Sequence, residues 1–542
     1  MKYVRNKINK IIIASVAIFV FTASCDTDEL HELNINPQAL NQVNMNYLFT
    51  AAQLGSAAGG SAGDNRYIDW RTNIGLCAHA IQQLANVSGG IAPGDKYTDN
   101  VESYNAPWEF IYGDQLKNLA EVLRQTGPDG FEAGQRKNMR EAARILRAFN
   151  FNFHRLTDYY GNIPYSDALS GIQGTFLPTY DDQQSIYLDL LKELDEATAA
   201  LSASNPDEGF AAADLYYNGD VTKWKKWGYS LMLRLAMRIS NVDATTAATY
   251  VGKAVSGGVF TSNDDNTWVP MDLGPSEWTN QNGISRAFAS GDGGQPSILS
   301  KTFIDMLKGA NAASTADDDP RLLIFTDGVG GDQDPLVQEG MPNGQDGGTI
   351  SAYIGEKFGD PTLSPSSVFS SINVALLDDN DPYMLMNYAE VEFLLAEAAE
   401  RGIGGVTGAA GHYNAGVRAA MQMYTPFAQG DPDVEEALTV TDAQVDAYLA
   451  ARPYTAGAAG LEMIGNQMWV SKFFNWWEAW SDWRRTGFPV LIPVDYQGNV
   501  TGGTIPVKLR LPTHEVAVNV DNINAGATLP DQPTTRVWWD VN

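Results

Sequence analysis

Apolar residues recur at three- and four-residue steps in segment after segment of this chain, a period that fits α-helices and not strands. From Arg136 to Tyr160 the run is Met139, Ala142, Ala143, Leu146, Phe149, Phe153 and Leu156, stopped by Gly161 and Pro164. Asp181 to Leu201 repeats it through Ile186, Leu190, Leu194, Ala197 and Leu201, with Asp181 or Asp182 placed to accept from the first free amides. Trp224, Trp227, Leu231 and Leu235 form one stripe along Thr222 to Ile239, and a weaker pattern covers Ala244 to Ser256. Later, Met384 to Arg401 ends at Gly402, Gly411 to Tyr424 supplies a partner for it, and Gln467 to Arg485 closes the series. The expectation is a mostly α fold of tetratricopeptide-like helix pairs, without the strict pattern of that repeat.

The helical period fades between residues 257 and 382. Gly, Pro, Asn and Asp dominate Thr261 to Pro296 and Asp327 to Ser367, with one short helix near Ser297 to Leu307. Trp268, Trp278, Phe288, Tyr353 and Phe358 are scattered through this stretch. Loops this long inside a domain usually carry function. This half of the chain is therefore expected to be ordered loop wrapped over the helices, and the place to look for binding.

Lys2, Arg5, Lys7 and Lys10 precede a mostly apolar run from Ile11 to Ser24, which is too short for a ~30 Å hydrocarbon core and reads as a signal segment over residues 1–24. Thr22-Ala23-Ser24-Cys25 resembles a bacterial lipobox, which implies lipidation of Cys25. Asp26, Asp28 and Glu29 follow at once, like the acidic tag that sends some lipoproteins to the outer face of the outer membrane. Residues 25–45 are thus read as a lipidated acidic tether and 46–542 as one domain. Cys77 is read as a small buried hydrophobe.

Charge and composition exclude several functions. With Lys+Arg 36 against Asp+Glu 65 and a formal net charge of -29, the chain has no cationic excess to displace phosphate counterions, so no nucleic-acid partner is expected. Two Cys and 5 His argue against a thiolate or histidine metal centre, and no metal and no cofactor are expected. Gly59-Gly60-Ser61-Ala62-Gly63 fits a nucleophile elbow only as letters, because it follows a helical stretch instead of a strand. No phosphate-binding loop and no His-Glu-x-x-His occur. The acidic runs Asp317 to Asp319 and Asp378 to Asp381 lack calcium-loop spacing and read as turns or helix caps.

Several segments, in order, resemble one family. Leu146-Arg147-Ala148-Phe149 through Tyr159-Tyr160-Gly161-Asn162-Ile163-Pro164-Tyr165 is similar to the helix-and-turn signature of SusD/RagB-like outer-membrane lipoproteins. Asp319-Pro320-Arg321, Tyr388-Ala389-Glu390-Val391 and Leu394-Leu395-Ala396-Glu397-Ala398 resemble two more family segments. Glu478, Trp480, Asp482 and Arg484-Arg485-Thr486-Gly487-Phe488-Pro489 resemble the late helix and exit of the second-type branch. Arg510-Leu511-Pro512 with Glu515 and Asn519 resembles the C-terminal signature, although Thr513-His514 stand where that branch has an aromatic-proline step. The resemblance implies four tetratricopeptide-like helix pairs beneath a loop-rich ligand-binding half, no catalysis, and capture of oligosaccharides or peptides for a SusC-like TonB-dependent barrel. Competing expectations are a cell-surface hydrolase of polysaccharide or peptide, and a structural lid that touches no nutrient.

Flat aromatic faces beside amides and carboxylates suit a sugar ring, with its C–H face and hydroxyl rim. Three clusters have that make-up: Asp64, Asn65, Arg66 and Trp70; Tyr97, Asp99 and Tyr104; and Trp268 and Trp278 with Asn280, Gln281 and Asn282. Tyr353 joins them as a loop aromatic. By contrast Trp108, Trp224, Trp227, Trp469, Trp476, Trp477, Trp480 and Trp483 fall at helical spacing and are expected to pack.

Overall fold

Helices begin where a side chain can take up the free amides of the first turn. The computed structural model describes residues 43–57, 66–88, 93–153, 156–205, 207–274, 280–288, 298–309, 311 and 314–542. The signal segment 1–24, Cys25, most of the tether and the Gly59–Gly63 run lie outside the described residues. In chain order the main helices are α1 Met45–Ser56, α2 Val101–Phe110, α3 Lys117–Thr126, α4 Lys137–Ala148, α5 Gln183–Ala200, α6 Val221–Arg238 and α7 Ala244–Gly257. They continue with α8 Gly283–Phe288, α9 Tyr388–Glu400, α10 Ala409–Met421, α11 Ala458–Ser471 and α12 Trp476–Thr486. Asp182, Asp220, Asp243 and Asn387 accept the first-turn amides of α5, α6, α7 and α9. Strand pairing in named strands is confined, among the described residues, to an antiparallel ribbon of β1 Thr267–Val269 and β2 Tyr383–Met386.

The helices pack in sequence. α3 packs on α1 and α4, α5 on α4 and α6, and α7 on α6; a second group joins α10 and α11 to α9 and α12 to α11. α6 also meets α9, which links the two groups. Small residues set the closest approaches: a Cβ at Gly228 on α6 would lie 2.2 Å from Thr198 Cγ2 on α5. Trp108, Trp224, Trp227, Trp469, Trp476, Trp477 and Trp480 are buried, as the helical spacing predicts, whereas Trp483 is only partly buried.

Where α6, α9 and α12 meet, the core is ionic. Arg234 donates to both oxygens of Glu390 at 2.5 Å. Arg238 pairs with Glu478, with Asp482 at 3.3 Å and with Asp158 at 3.4 Å. Lys472, in the short break between α11 and α12, bonds Asp482 and lies 3.4 Å from Glu390 and 3.6 Å from Glu478. Arg485 forks onto both oxygens of Glu397 at 2.6 and 2.7 Å.

The structure departs from the expected elements in definite places. The single helix expected over Gln467–Arg485 is two, because Phe474 takes a left-handed φ of 75° and Asn475 leaves the helical region. The expected Arg136–Tyr160 helix ends as α4, runs through a π-helical turn Phe149–Phe153, and resumes as a separate turn Thr157–Tyr160. Met384 belongs to β2, so α9 starts later than expected. The loop-rich stretch holds a full helix, Gly347–Phe358, capped by Asp346.

Removal of one partner from the ionic core leaves buried charges uncompensated. Arg238→Ala is expected to destabilise the protein by ~3–5 kcal/mol, read as the loss of unfolding free energy in a urea titration. Lys253→Ala, which breaks a surface pair with Asp195, is expected to change it by less than ~1 kcal/mol.

Candidate functional site

The short helix Arg66–Ile68 runs directly into a π-helical stretch, Asp69–Ala78. Wide turns of this kind are frequent at functional sites. Here the helix carries Tyr67 and Trp70 one turn apart, and their rings stack at 5.4 Å between centroids with 29° between planes. Both are only partly buried. The Arg71 guanidinium lies 4.8 Å from the Tyr67 ring centroid and 3.3 Å from the Glu102 carboxylate near the start of α2. The result is an aromatic shelf with a fixed cation and anion at its edge.

The segment that carries Asn280 and Asn282 lies against this shelf. α8 packs on Arg66–Ile68 and on the π-helical stretch, and the same two elements pack on α2. Residues from all three candidate clusters thus come from segments that meet, a convergence the sequence did not disclose. Asn282 is buried as the pivot: its Oδ1 accepts the Ile284 and Ser285 amides that open α8. Its Nδ2 donates to the Asp381 carbonyl at 3.0 Å, and its backbone amide to the Asp379 carbonyl at 2.7 Å. Asn280 is partly exposed, and its carbonyl accepts the Asp272 amide at 2.8 Å. Beneath the shelf, the Tyr383 hydroxyl of β2 donates to Asp69 at 2.8 Å, tying the ribbon to the π-helical stretch.

Other expected contacts are placed differently. Tyr97 and Tyr104 are 2% and 5% exposed, so they do not offer a ring to a ligand. Tyr97 has a left-handed φ of 56° and accepts the Val494 amide on its hydroxyl, and burial pushes that hydroxyl up to about 12. Trp268 sits in β1, partly buried with its ring edge-on to Phe427 at 5.7 Å, a packing contact that its Asn/Asp-rich surroundings concealed. Tyr353 packs on the cluster of Ile350, Ile354 and Phe369, in a helix away from the shelf's own elements. Asp64, Asn65 and Trp278 lie outside the described residues, and Arg66 is described only as part of its helix. Tyr67, Arg71 and Glu102 were not singled out from sequence; the aromatic pair at i and i+3 beside an Arg is the signal that could have found them.

The acidic runs act as turns and caps. Asp319 and Arg321 form a buried fork at 2.6 Å, and Asp318 accepts the Gly309 amide at 2.6 Å. In the second run, Asp381 accepts the Asp378 amide at 2.8 Å and the Gln429 side-chain amide at 3.3 Å. Burial pushes the Asp381 carboxyl up to about 7, with Asp378 and Asp379 adding to the rise. Among the described residues one trio of acids, Glu390, Glu478 and Asp482, has oxygens within 4.8 Å of one another. The Lys472 ammonium already stands among them, so the cationic charge that trio needs is supplied by the chain itself.

A SusD-like family model, described as starch-binding and associating with the outer membrane, matches residues 37–512. A solved chitin-binding protein shares 32% identity, with a TM-score of 0.76 over 92% of this chain and 100% of its own. A SusD-like protein of Bacteroidetes AC2a shares 25% identity, with a TM-score of 0.75 and the same coverage. A chitin-binding SusD homologue from Flavobacterium johnsoniae, at 23% identity and a TM-score of 0.71 over 92% of this chain and 99% of its own, shares the fold. No curated protein sequence matches the chain.

Asp381 generates a pH test. Its folded carboxyl titrates above the ordinary value of 3.8, so its contribution to stability is fully present below that value and lost as pH rises through about 7. Asp381→Asn is expected to shrink the drop in Tm between pH 5 and pH 8, whatever constant offset it adds; an unchanged drop in differential scanning calorimetry refutes the assignment.

Proposed function

Since the chain belongs to the SusD-like family, we propose that it is a surface glycan-binding lipoprotein that captures oligosaccharides and hands them to a SusC-like TonB-dependent barrel. The observation that carries the reading is the Tyr67–Trp70 shelf flanked by Arg71, Glu102 and α8. A sugar ring lays its C–H face on such an aromatic pair, and its hydroxyls meet the flanking charged and amide groups. Glycan is favoured over peptide because the family is described as starch-binding and two similar structures are named for chitin. In this reading residues 1–24 are removed, Cys25 carries the lipid, residues 25–45 form the tether, and 46–542 are the binding domain.

Nothing in the shelf calls for catalysis. The ionic trio is sealed by Lys472, and Asp69 is engaged by Tyr383 and Asn73, so these acids serve structure instead of bond cleavage. Transport energy would then come from the barrel, and this chain would supply affinity alone.

The test is calorimetric titration of the soluble chain from residue 26 with chitohexaose and with maltohexaose. Trp70→Ala is expected to weaken whichever sugar binds by ~10-fold while the far-UV circular dichroism stays unchanged. Chromatography of the same samples should recover intact hexasaccharide after prolonged incubation. Shorter products would make the chain a hydrolase, and the absence of binding to both sugars would sink the glycan reading.

A further inference from the structure

A second cleft lies at the other end of α2. It encloses about 280 Å³ and is lined by Trp108, Tyr112, Phe176, Pro178, Ser170 and Glu515 among others. We propose that it is a second saccharide subsite that takes one neutral pyranose ring. The proposal rests on the glycan-binding reading above and adds a contact outside the Trp70 shelf. A volume just below the ~300–1,000 Å³ typical of drug-sized ligand sites suits one ring and not a chain of them.

The cleft is built before any ligand arrives. Asn519 donates to the Pro178 carbonyl and Asn522 to the Leu177 carbonyl, both at 3.0 Å, which pins the 166–180 loop to the C-terminal helices Thr513–Val518 and Val520–Gly526. The Tyr112 hydroxyl donates to the Pro164 carbonyl, and Thr179 to Asp167 at 2.6 Å. Trp108 stacks on Tyr180 at 6.3 Å and meets Tyr160 edge-on at 5.2 Å, so the rear wall is a fixed aromatic block. At the mouth, Phe176 is 79% exposed, a large ring held in water by a rigid loop.

Two polar groups in the cleft are left over. Glu515 is only 9% exposed, and its Oε1 accepts Tyr180 at 3.1 Å and Asn519 at 2.7 Å. Among the described residues nothing donates to its Oε2, and nothing accepts from the Trp108 indole N–H. A spare acceptor and a spare donor beside the exposed Phe176 ring match a sugar, whose hydroxyls serve as either. No Lys or Arg lines the cleft, while Asp167 and Glu515 do, so an anionic sugar is repelled and a neutral one fits.

The subsite also has a place relative to the shelf. Glu102, which holds Arg71, and Trp108, which lines the cleft, are six residues apart on α2, an axial rise of ~9 Å. One helix therefore connects the two contacts, so an oligosaccharide has two separate points of recognition built on one rigid element.

The test is the same titration of the soluble chain with chitohexaose and maltohexaose, comparing Phe176→Ala, Trp108→Phe and Trp70→Ala. Phe176 is exposed, so its removal leaves the core intact. Phe176→Ala is expected to weaken the hexasaccharide ~3- to 10-fold, and Trp108→Phe, which keeps an aromatic ring but deletes the indole donor, to weaken it as well. Affinity unchanged in Phe176→Ala but reduced in Trp70→Ala overturns the subsite and leaves the glycan reading standing. Binding of neither sugar by the wild type overturns both. Heat from hexa-alanine that disappears in Phe176→Ala overturns the saccharide assignment in favour of a peptide ammonium at Glu515.

Discussion

The ionic seam between α6, α9 and α12 is the constraint on which the rest of the structure depends. Arg234, Arg238 and Lys472 face Glu390, Glu478, Asp482 and Asp158 with almost no exposure to solvent, and each cation touches acids from different elements. Burying so many charges contributes less net stability than packed hydrocarbon would, yet misplacing one of them is expensive. Apolar side chains tolerate sliding by a turn; forked Arg–carboxylate pairs do not, because the planar guanidinium accepts one geometry. The seam therefore fixes the register of three helices from distant parts of the chain. Burial raises Glu478, while Lys472, Arg238 and Arg485 hold Asp482 well below the usual carboxylate range, so neighbouring acids in one seam are driven in opposite directions.

That rigidity reaches the candidate site through packing. α12 lies against the π-helical stretch Asp69–Ala78, and Asn73 on that stretch accepts the Trp477 amide at 3.1 Å at the start of α12. The same Asn73 donates to the Phe474 carbonyl at 3.0 Å, in the break where the chain turns left-handed. The shelf of Tyr67 and Trp70 is thus one turn away from residues locked to the core. A preorganised aromatic surface loses little entropy on binding, which suits the proposed role in glycan capture.

Much of the scaffold was legible because burial imposes a period on the residues. Ile186, Leu190, Leu194 and Ala197 announced α5, and Trp224, Trp227, Leu231 and Leu235 announced α6. The break at Lys472–Asn475 was not legible, because it falls inside an unbroken aromatic run and depends on Phe474, a residue that rarely takes a left-handed φ. The ionic seam was equally hidden, since an Arg on a helical stripe reads as solvated until its partners arrive from elsewhere in the chain. At the candidate shelf, composition picked segments that the fold brings together, but not the side chains that face outward there: Tyr104 turned inward, Asn282 became a helix cap, and Tyr67 was passed over. Amide and carboxylate residues serve caps and ligands with the same chemistry, and only the fold distributes them.

Two features of α2 then follow from one another. Its N-terminal end is held to the shelf by Glu102 and Arg71, and its C-terminal end places Trp108 against Tyr160 and Tyr180. Tyr160 also donates from its hydroxyl to the Tyr104 carbonyl, in the middle of the helix. Tyr104 is therefore held in the interior as part of the fixing of α2. α2 is the beam between two aromatic surfaces, and a beam must be fixed along its length if what it carries at both ends is to keep a constant separation.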